Sequence, residues 1–340
     1  MNQQREPLVC ICIPSYNAAT TIGETITSIL AQSYTNFVLK VVDNASTDGT
    51  ADVVAGFSDS RIEVHRNATN VGGEGNFNRC IELGCGDYLA IFHADDVYEP
   101  EMISTQVAFL EANAGASAVF TDAVTIDERG RETGALVHPQ ELGTLSDFRQ
   151  VFRAILRHSN FLICPSAMAR TVVYREGVRR WRDELFGTSA DLDVWLRMSK
   201  LGPVGILADK LMRYRISQSQ WSAKVRAQTS RADFFRVTDY YLADPNVREF
   251  LSPMDLENLA RLERRDLVMR AANAVMGGQS DLARLLIPSP LSRAMIDSAF
   301  ADRRSFAVFA LACVLLFLLA ARLDWLARWF VSQVKSWTQR

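Results

Sequence analysis

Neither sign of charge dominates this chain. Its 340 residues carry 37 Lys and Arg against 39 Asp and Glu, a net charge of −2. A protein that binds nucleic acid over its whole surface would show a basic excess, so nucleic acid is not an expected partner. The chain has neither a GxGxxG nor a GxxxxGK[ST] stretch, so neither a dinucleotide-cofactor turn nor a P-loop is indicated. The six cysteines (Cys10, Cys12, Cys80, Cys85, Cys164, Cys313) show no CxxC spacing. Buried, reduced thiols in a reducing cytoplasm are therefore expected, and the sequons at Asn44 and Asn67 would carry no glycan. Residues 1–7 are polar, and no cleavable signal peptide is expected. No internal repeat appears. What remains is an ordinary globular mixture, 48% hydrophobic and 22% charged, long enough for a sizeable core and, as a soft prior, two domains.

The near-zero average conceals an asymmetry. From Arg303 onward there are six basic residues and one acid, net +5, which leaves −7 on the rest. Residues 306–321 contain no charge at all. A spanning helix needs about 20 apolar residues, so this run is marginal. Behind it Trp325, Leu326, Trp329, Phe330 and Val334 recur at helical spacing, followed by Trp337, the composition of a helix lying at a membrane interface. The tail is expected to attach the protein to a membrane by spanning it or lying on it, with Arg303 and Arg304 keeping the preceding body cytoplasmic. A helix packed on the body or on a second copy is the alternative.

The first half alternates strand and helix patterns. Residues 9–13 read as a buried strand closed by Pro14; Ile22, Ile26, Ile29 and Leu30 mark one face of a helix, with Thr21 and Glu24 fitting a capping box. Residues 38–42, 62–64, 88–92 and 118–120 read as further strands, with helices from about Thr50, over 76–85 and from Pro100. Such alternation predicts an α/β fold with a mainly parallel sheet flanked by helices. Ligands of such sheets bind outside the carboxyl ends of the strands, where the loops 15–17, 43–48 and 93–96 converge. Beyond Ser217 the pattern is mostly helical.

Those loops hold the chemistry-bearing residues. Asp95 and Asp96 are adjacent carboxylates whose mutual repulsion a hard cation, Mg²⁺ or Mn²⁺, would remove; a solvated turn is the plainer alternative. Asp43, ending the second strand, suits a hydrogen bond to a base or ribose, or a turn role. The stretch 72–75 (Gly-Gly-Glu-Gly) reads as a flexible loop able to approach a phosphate. Trp195 and Leu196 read as core.

In order, the chain presents Pro14-Ser15-Tyr16-Asn17, then Val42-Asp43-Asn44-Ala45-Ser46-Thr47-Asp48-Gly49-Thr50, then Asn70-x-Gly72 with Asn78, Gly86-Asp87-Tyr88, Ala94-Asp95-Asp96-x-Tyr98-x-Pro100, Ala190-Asp191-Leu192-Asp193-Val194-Trp195-Leu196-Arg197 and Tyr214-Arg215. Over residues 8–222 this resembles a family 2 glycosyltransferase of the GT-A nucleotide-sugar-binding fold. The resemblance implies an inverting, metal-dependent enzyme. It would move a sugar from a nucleotide-diphospho-sugar, usually a UDP-sugar, to a glycan or lipid-linked acceptor. It places Pro14, Ser15, Tyr16, Asn17, Asp43, Asn44, Asn70, Gly72, Asn78 and Asp95 at the donor nucleotide. It places Asp96 and Asp95 at the metal and makes Asp191 the catalytic base. Three positions depart from the family: His93 replaces an Asp, Phe77 an Arg, and Ser217 a His. The expected division is a GT-A domain (1–222), a helical extension (223–302) and an apolar tail (303–340). A nucleotidyltransferase of similar fold and a non-catalytic scaffold remain the alternatives at this point.

Overall fold

A computed structural model describes residues 6–217 and 227–338, with side chains to Val334. The expected 222/223 boundary, Lys335 and Trp337 lie outside the described residues or side chains. The chain divides into two compact units, Met1–Ser217 and Gln218–Arg340.

The first unit runs β1 (Val9–Ser15), α1 (Ile22–Leu30), β2 (Phe37–Asp43), α2 (Thr50–Ala55), β3 (Ile62–Arg66), α3 (Gly72–Leu83), β4 (Tyr88–Ile91), β5 (Val97–Tyr98), α4 (Met102–Ala112), β6 (Ala118–Ile126), β7 (Glu132–Leu136), β8 (Leu145–Ser146), α5 (Phe148–His158), β9 (Met168–Arg170), α6 (Asp183–Phe186), α7 (Ala190–Leu201) and β10 (Val204–Arg215). One sheet holds every strand among the described residues, in the order β3-β2-β1-β4-β9-β6-β10-β5, with β7 beside β6 and β8 beside β10. Strands β3, β2, β1 and β4 pair in parallel. Strand β9 runs against both β4 and β6, and β10 is parallel to β6. Six strands therefore point the same way, and the carboxyl ends of β1, β2, β4, β6 and β10 reach one edge.

The core follows from the apolar runs. Ile11, Ile13, Leu39, Val41 and Ala90 of the sheet pack with Ile22, Ile26 and Ile29 of α1 and Ile103 and Leu110 of α4. Each such aliphatic side chain contributes about 1.5–3 kcal/mol on full burial. Pro14 donates no hydrogen bond, and it falls past Cys12, the last residue of β1 that pairs with β4. Gly86 (φ 69°) turns the chain into β4 where a Cβ would meet the Leu8 carbonyl oxygen at 2.5 Å. Beside it Asp87 Oδ2 accepts from Leu8 N at 2.8 Å, so the Gly86-Asp87 pair fixes the start of β1.

Two local expectations are corrected. Thr21 precedes α1 but makes no capping bond to it, and Glu24 instead reaches Arg215. Residues 72–75 are not a loop: α3 begins at Gly72, so they form its first turn, and it ends at Leu83. The described cysteines are all free, with Cys10, Cys12 and Cys80 buried.

The second unit is helical: α8 (Asp233–Leu242), α9 (Pro245–Glu249), α10 (Pro253–Met276), α11 (Ser280–Leu286), α12 (Arg293–Ala299), α13 (Arg303–Ala320) and α14 (Asp324–Thr338). Among the described residues, α13 is the helix long and apolar enough to cross a membrane. One stripe of it is buried: Ala312, Leu315 and Leu319 pack with Val268, Ala271 and Val275 of α10 and with Ala327 and Val331 of α14. Arg322, at φ 57°, makes the reversal between α13 and α14.

Candidate active site

At the ends of β1 and β2 a polar network fixes the backbone. Asn44, buried, donates through Nδ2 to Asn70 Oδ1 and the Gly72 carbonyl, both at 2.9 Å, and its Oδ1 accepts from Asn67 and Val71 N. Asn76 ties the network to the Val42 carbonyl at 2.8 Å. The next loop closes around Asn17, whose Oδ1 accepts from Thr47 N while its own N–H donates to Ser46. Asn17 (φ 50°) and Ala45 (φ 59°) both adopt the left-handed region that L-residues visit at a cost, as is frequent at functional sites. Ser15 is buried and Tyr16 half-exposed at this edge. Asp43 is 3% exposed. Its Oδ1 accepts from Ser46 N, while Oδ2 has no hydrogen-bond partner and lies 3.4 Å from Arg66 Nε.

The carboxylate pair sits on the turn between β4 and β5. Tyr98, stacked on Phe92, braces this turn by accepting from His93 N at 2.8 Å. Arg215, ending β10, clamps it: its backbone N donates to Asp96 Oδ1 and its Nε to the Asp95 carbonyl, both at 2.8 Å. Its other nitrogens reach the Asp127 carbonyl and Glu24. Asp96 is 1% exposed and its Oδ2 has no hydrogen-bond partner. Burial, and then the charge of Asp95, push its carboxyl well above the usual range. Burial lowers His93, so the imidazole is neutral near pH 7, against an opposing pull from Asp95. One ligand atom from each of His93, Asp95 and Asp96 falls within 4.8 Å of the others. A buried, unpartnered carboxylate oxygen with a second carboxylate beside it fits a divalent cation, which would satisfy the orphan oxygen and cancel the repulsion.

Asp191 lies in the first turn of α7. Its Oδ1 accepts from Leu192 N at 2.7 Å and its Oδ2 from Asn160 Nδ2 at 3.1 Å. Burial raises its carboxyl to about 6, outweighing those bonds. The charges of Asp191 and Asp96 both raise the Cys164 thiol, which places Cys164 within electrostatic reach of each. Asp193, two residues on, faces away: Arg182 grips both its oxygens and Arg197 Nε donates to Oδ2 at 2.9 Å. Trp195 and Leu196 are buried in the core.

The strand ends thus carry Ser15, Tyr16, Asn17, Asp43, Asp95 and Asp96 to one edge. Asn44, Asn70 and Gly72 are joined in the scaffold beneath them. Asn78 engages both amide ends with the Trp181 backbone, accepting from its N at 2.7 Å. Sequence reasoning missed the Arg215 clamp, its partner Glu24, and Asn160 beside Asp191. None has a local signal, because each partner lies 31 to 191 residues away.

The model of the family described as Glycosyl transferase family 2 matches residues 10–177. The putative glycosyltransferase EpsE of Bacillus subtilis is 31% identical over 264 residues, covering 72% of this chain and 90% of that protein. This chain is a family 2 glycosyltransferase. An Escherichia coli relative, the UDP-Glc:alpha-D-GlcNAc-diphosphoundecaprenol beta-1,3-glucosyltransferase WfgD, is 37% identical over 106 residues, 31% of this chain and 42% of its own. The S. aureus TarS 1-349 structure in complex with UDP-GlcNAc shares the fold, with TM-score 0.58 at 15% identity over 93% of this chain and 92% of that one.

Family membership decides against the nucleotidyltransferase and scaffold alternatives. In this glycosyltransferase Phe77, the departure from arginine, stacks on Trp181 at 4.4 Å and meets His93 edge-on at 5.7 Å. The position is part of an aromatic wall here.

Proposed function

We propose that this enzyme transfers a sugar, with inversion, from a UDP-sugar to a hydroxyl of a glycan or lipid-linked acceptor, and that it requires Mg²⁺ or Mn²⁺. The observation that carries the metal requirement is the buried Asp96 Oδ2 without a partner beside Asp95. A divalent ion bound there supplies neutralisation of charge on the leaving diphosphate. Asp43 Oδ2, which accepts no hydrogen bond and has only the ion-pair contact with Arg66, is the acceptor for the base, and Pro14, Ser15, Tyr16 and Asn17 form the wall along which the nucleotide lies. Asp191 takes the proton of the acceptor hydroxyl as its oxygen bonds the anomeric carbon and the bond to the diphosphate breaks. A carboxylate raised to about 6 is ionised at pH 7 yet more basic than an ordinary aspartate, which suits a general base. The relatives support the substrates: WfgD is named for a UDP-glucose donor and a diphosphoundecaprenol-linked acceptor, and TarS was captured with UDP-GlcNAc.

We assign sugar transfer to the first unit and attachment to the cytoplasmic membrane face to the helices from α13 on. The buried stripe on α13 favours an interfacial anchor over a span, because crossing the bilayer would strip that stripe of its partners on α10. Trp325 and Trp329, 71% and 57% exposed one turn apart on α14, supply an aromatic face for the headgroup region.

The test is transfer from UDP-sugars to polyprenyl-diphosphate-linked acceptors, with and without Mn²⁺. Asp96→Asn and Asp191→Asn are each expected to lower turnover by at least about a hundred-fold while retaining the fold, and undiminished turnover in either defeats its assigned role. Trp325→Ser with Trp329→Ser is expected to move the full chain from the membrane to the soluble fraction.

A further inference from the structure

His93 opens the turn that carries Asp95 and Asp96, and its side chain is one quarter exposed, with Nδ1 3.8 Å from Asp96 Oδ2. Metal bonds of about 2.1 Å in an octahedron set ligand atoms roughly 3 Å apart when adjacent and about 4.2 Å apart when opposite. The 3.8 Å separation lies inside that span. The residue is anchored through its backbone. The His93 backbone is tied to Tyr98 Oη, and the Phe77 ring stands edge-on to the imidazole at 70°. Nε2 is buried and has no hydrogen-bond partner, and Nδ1 lies 3.8 Å from Asp96 Oδ2, beyond hydrogen-bond reach. A histidine that only filled space would be expected to have spent a ring nitrogen on a neighbour, as His138 does with Asp122 at 2.9 Å.

The ligand type has a chemical consequence. Mg²⁺ strongly prefers oxygen donors, whereas imidazole nitrogen binds first-row transition ions better, with affinity rising from Mn²⁺ through Co²⁺ and Ni²⁺. We propose that His93 is a ligand of the bound divalent ion and sets the metal preference of this enzyme, favouring Mn²⁺ and Co²⁺ over Mg²⁺. The proposal rests on the reading of Asp95 and Asp96 as the cation site. It goes beyond that reading by assigning discrimination among metals to one residue of this chain.

The experiment uses the full chain stripped of metal with a chelator, alone and with UDP. Mn²⁺ is added and followed by electron paramagnetic resonance, Mg²⁺ is measured by competition, and pulsed resonance reads nitrogen-14 coupling to the bound ion. Wild type is expected to bind Mn²⁺ with a nitrogen signal and to prefer it to Mg²⁺ by at least about ten-fold. His93→Gln should erase the nitrogen signal and most of the preference, and His93→Asp should bind Mg²⁺ at least as well as wild type does. Asp96→Asn is the control and should lose both ions. If it does so while His93→Gln leaves the nitrogen signal and the Mn²⁺ to Mg²⁺ ratio unchanged, the assignment of His93 is overturned and the cation site stands. If wild type binds no Mn²⁺, or Asp96→Asn binds it as wild type does, the cation site itself falls and the proposal with it. Should His93→Gln not fold, His93→Asp carries the same decision through the ratio.

Discussion

Asp191 and Asp193 stand two residues apart in the first turn of one helix and live in opposite circumstances. Successive helical residues are 100° apart, so this pair points to opposite sides of α7. Asp193 is 0% exposed and is satisfied by two guanidinium groups, Arg182 and Arg197, that also tie down the 178–182 segment. Asp191 meets one amide, one backbone N–H and no cation in its described contacts, and burial raises it to about 6. Asp96 belongs with Asp191, since it is buried and also has capacity to spare. An acid whose charge is answered from within the fold is a strut, and one left short of partners is held ready for something that arrives.

Substituting the two members of the pair gives the largest effects and the sharpest test. Asp193→Asn leaves two arginines without their counter-charge and is expected to cost about 3–5 kcal/mol in denaturant unfolding. Asp191→Asn should leave the unfolding midpoint unchanged or higher, while kcat falls by about 10²–10⁴-fold. If Asp191→Asn destabilises as Asp193→Asn does, or Asp193→Asn folds normally and loses only turnover, the distinction between strut and base is broken.

Next in size is Arg215, which is a strut for the site. Arg215→Lys keeps the charge but loses the planar fork that spans the Asp95 and Asp127 carbonyls and Glu24. Because its side-chain donors are spent on the turn and its neighbours, the expected outcome is a ten- to hundred-fold weaker Mn²⁺ affinity with a proportionate rise in KM for the donor. A smaller change in kcat separates this positioning role from the base.

The third prediction is a pH profile. With Asp191 titrating at about 6, kcat/KM should fall about ten-fold per pH unit below that point. Asn160 holds the carboxyl down by donating to it, so Asn160→Ala should move the acid limb upward. Stability runs the other way. A carboxyl raised above its unfolded value is protonated first in the folded state, so its contribution favours folding at low pH and is lost as pH rises from about 4 to about 6. The stability gained by Asp191→Asn at pH 7 should therefore shrink on acidification through that window.

What the sequence made legible was local. Strands β1, β2 and β4 announce themselves as apolar runs ending in Pro14, Asp43 and the His93 turn, and parallel pairing then forces their loops together. The Asp95-Asp96 pair is visible because it is contiguous. The role of Glu24 was misread because a glutamate three residues into a helix pattern looks like a cap, while its actual partner, Arg215, is 191 residues away. Residues 72–75 were misread because glycine is a poor helix former. The Asn44 and Asn70 network and the surrounding packing override that propensity. Locally only Arg197, one helical turn after Asp193, marks the difference from Asp191, and the other partners, Asn160 and Arg182, reach the two acids only when the chain has folded.

The smallest expected effect probes whether the wall behind the site is as passive as this comparison implies. Phe77 stacks on Trp181, Trp181 meets Trp195 of α7 edge-on at 6.0 Å, and Asn78 and Arg182 hold the chain on either side. The stack adds about 0.5–1.5 kcal/mol beyond its buried area. Phe77→Leu keeps most of the apolar volume and should cost about that much, with turnover changed by no more than a few-fold. The Asp193 pair would still fix the 178–182 segment, so no carboxylate need move. A drop in turnover approaching that of Asp191→Asn would mean that the aromatic wall positions His93 or the base directly, and the line between strut and reacting group would have to be redrawn through Phe77.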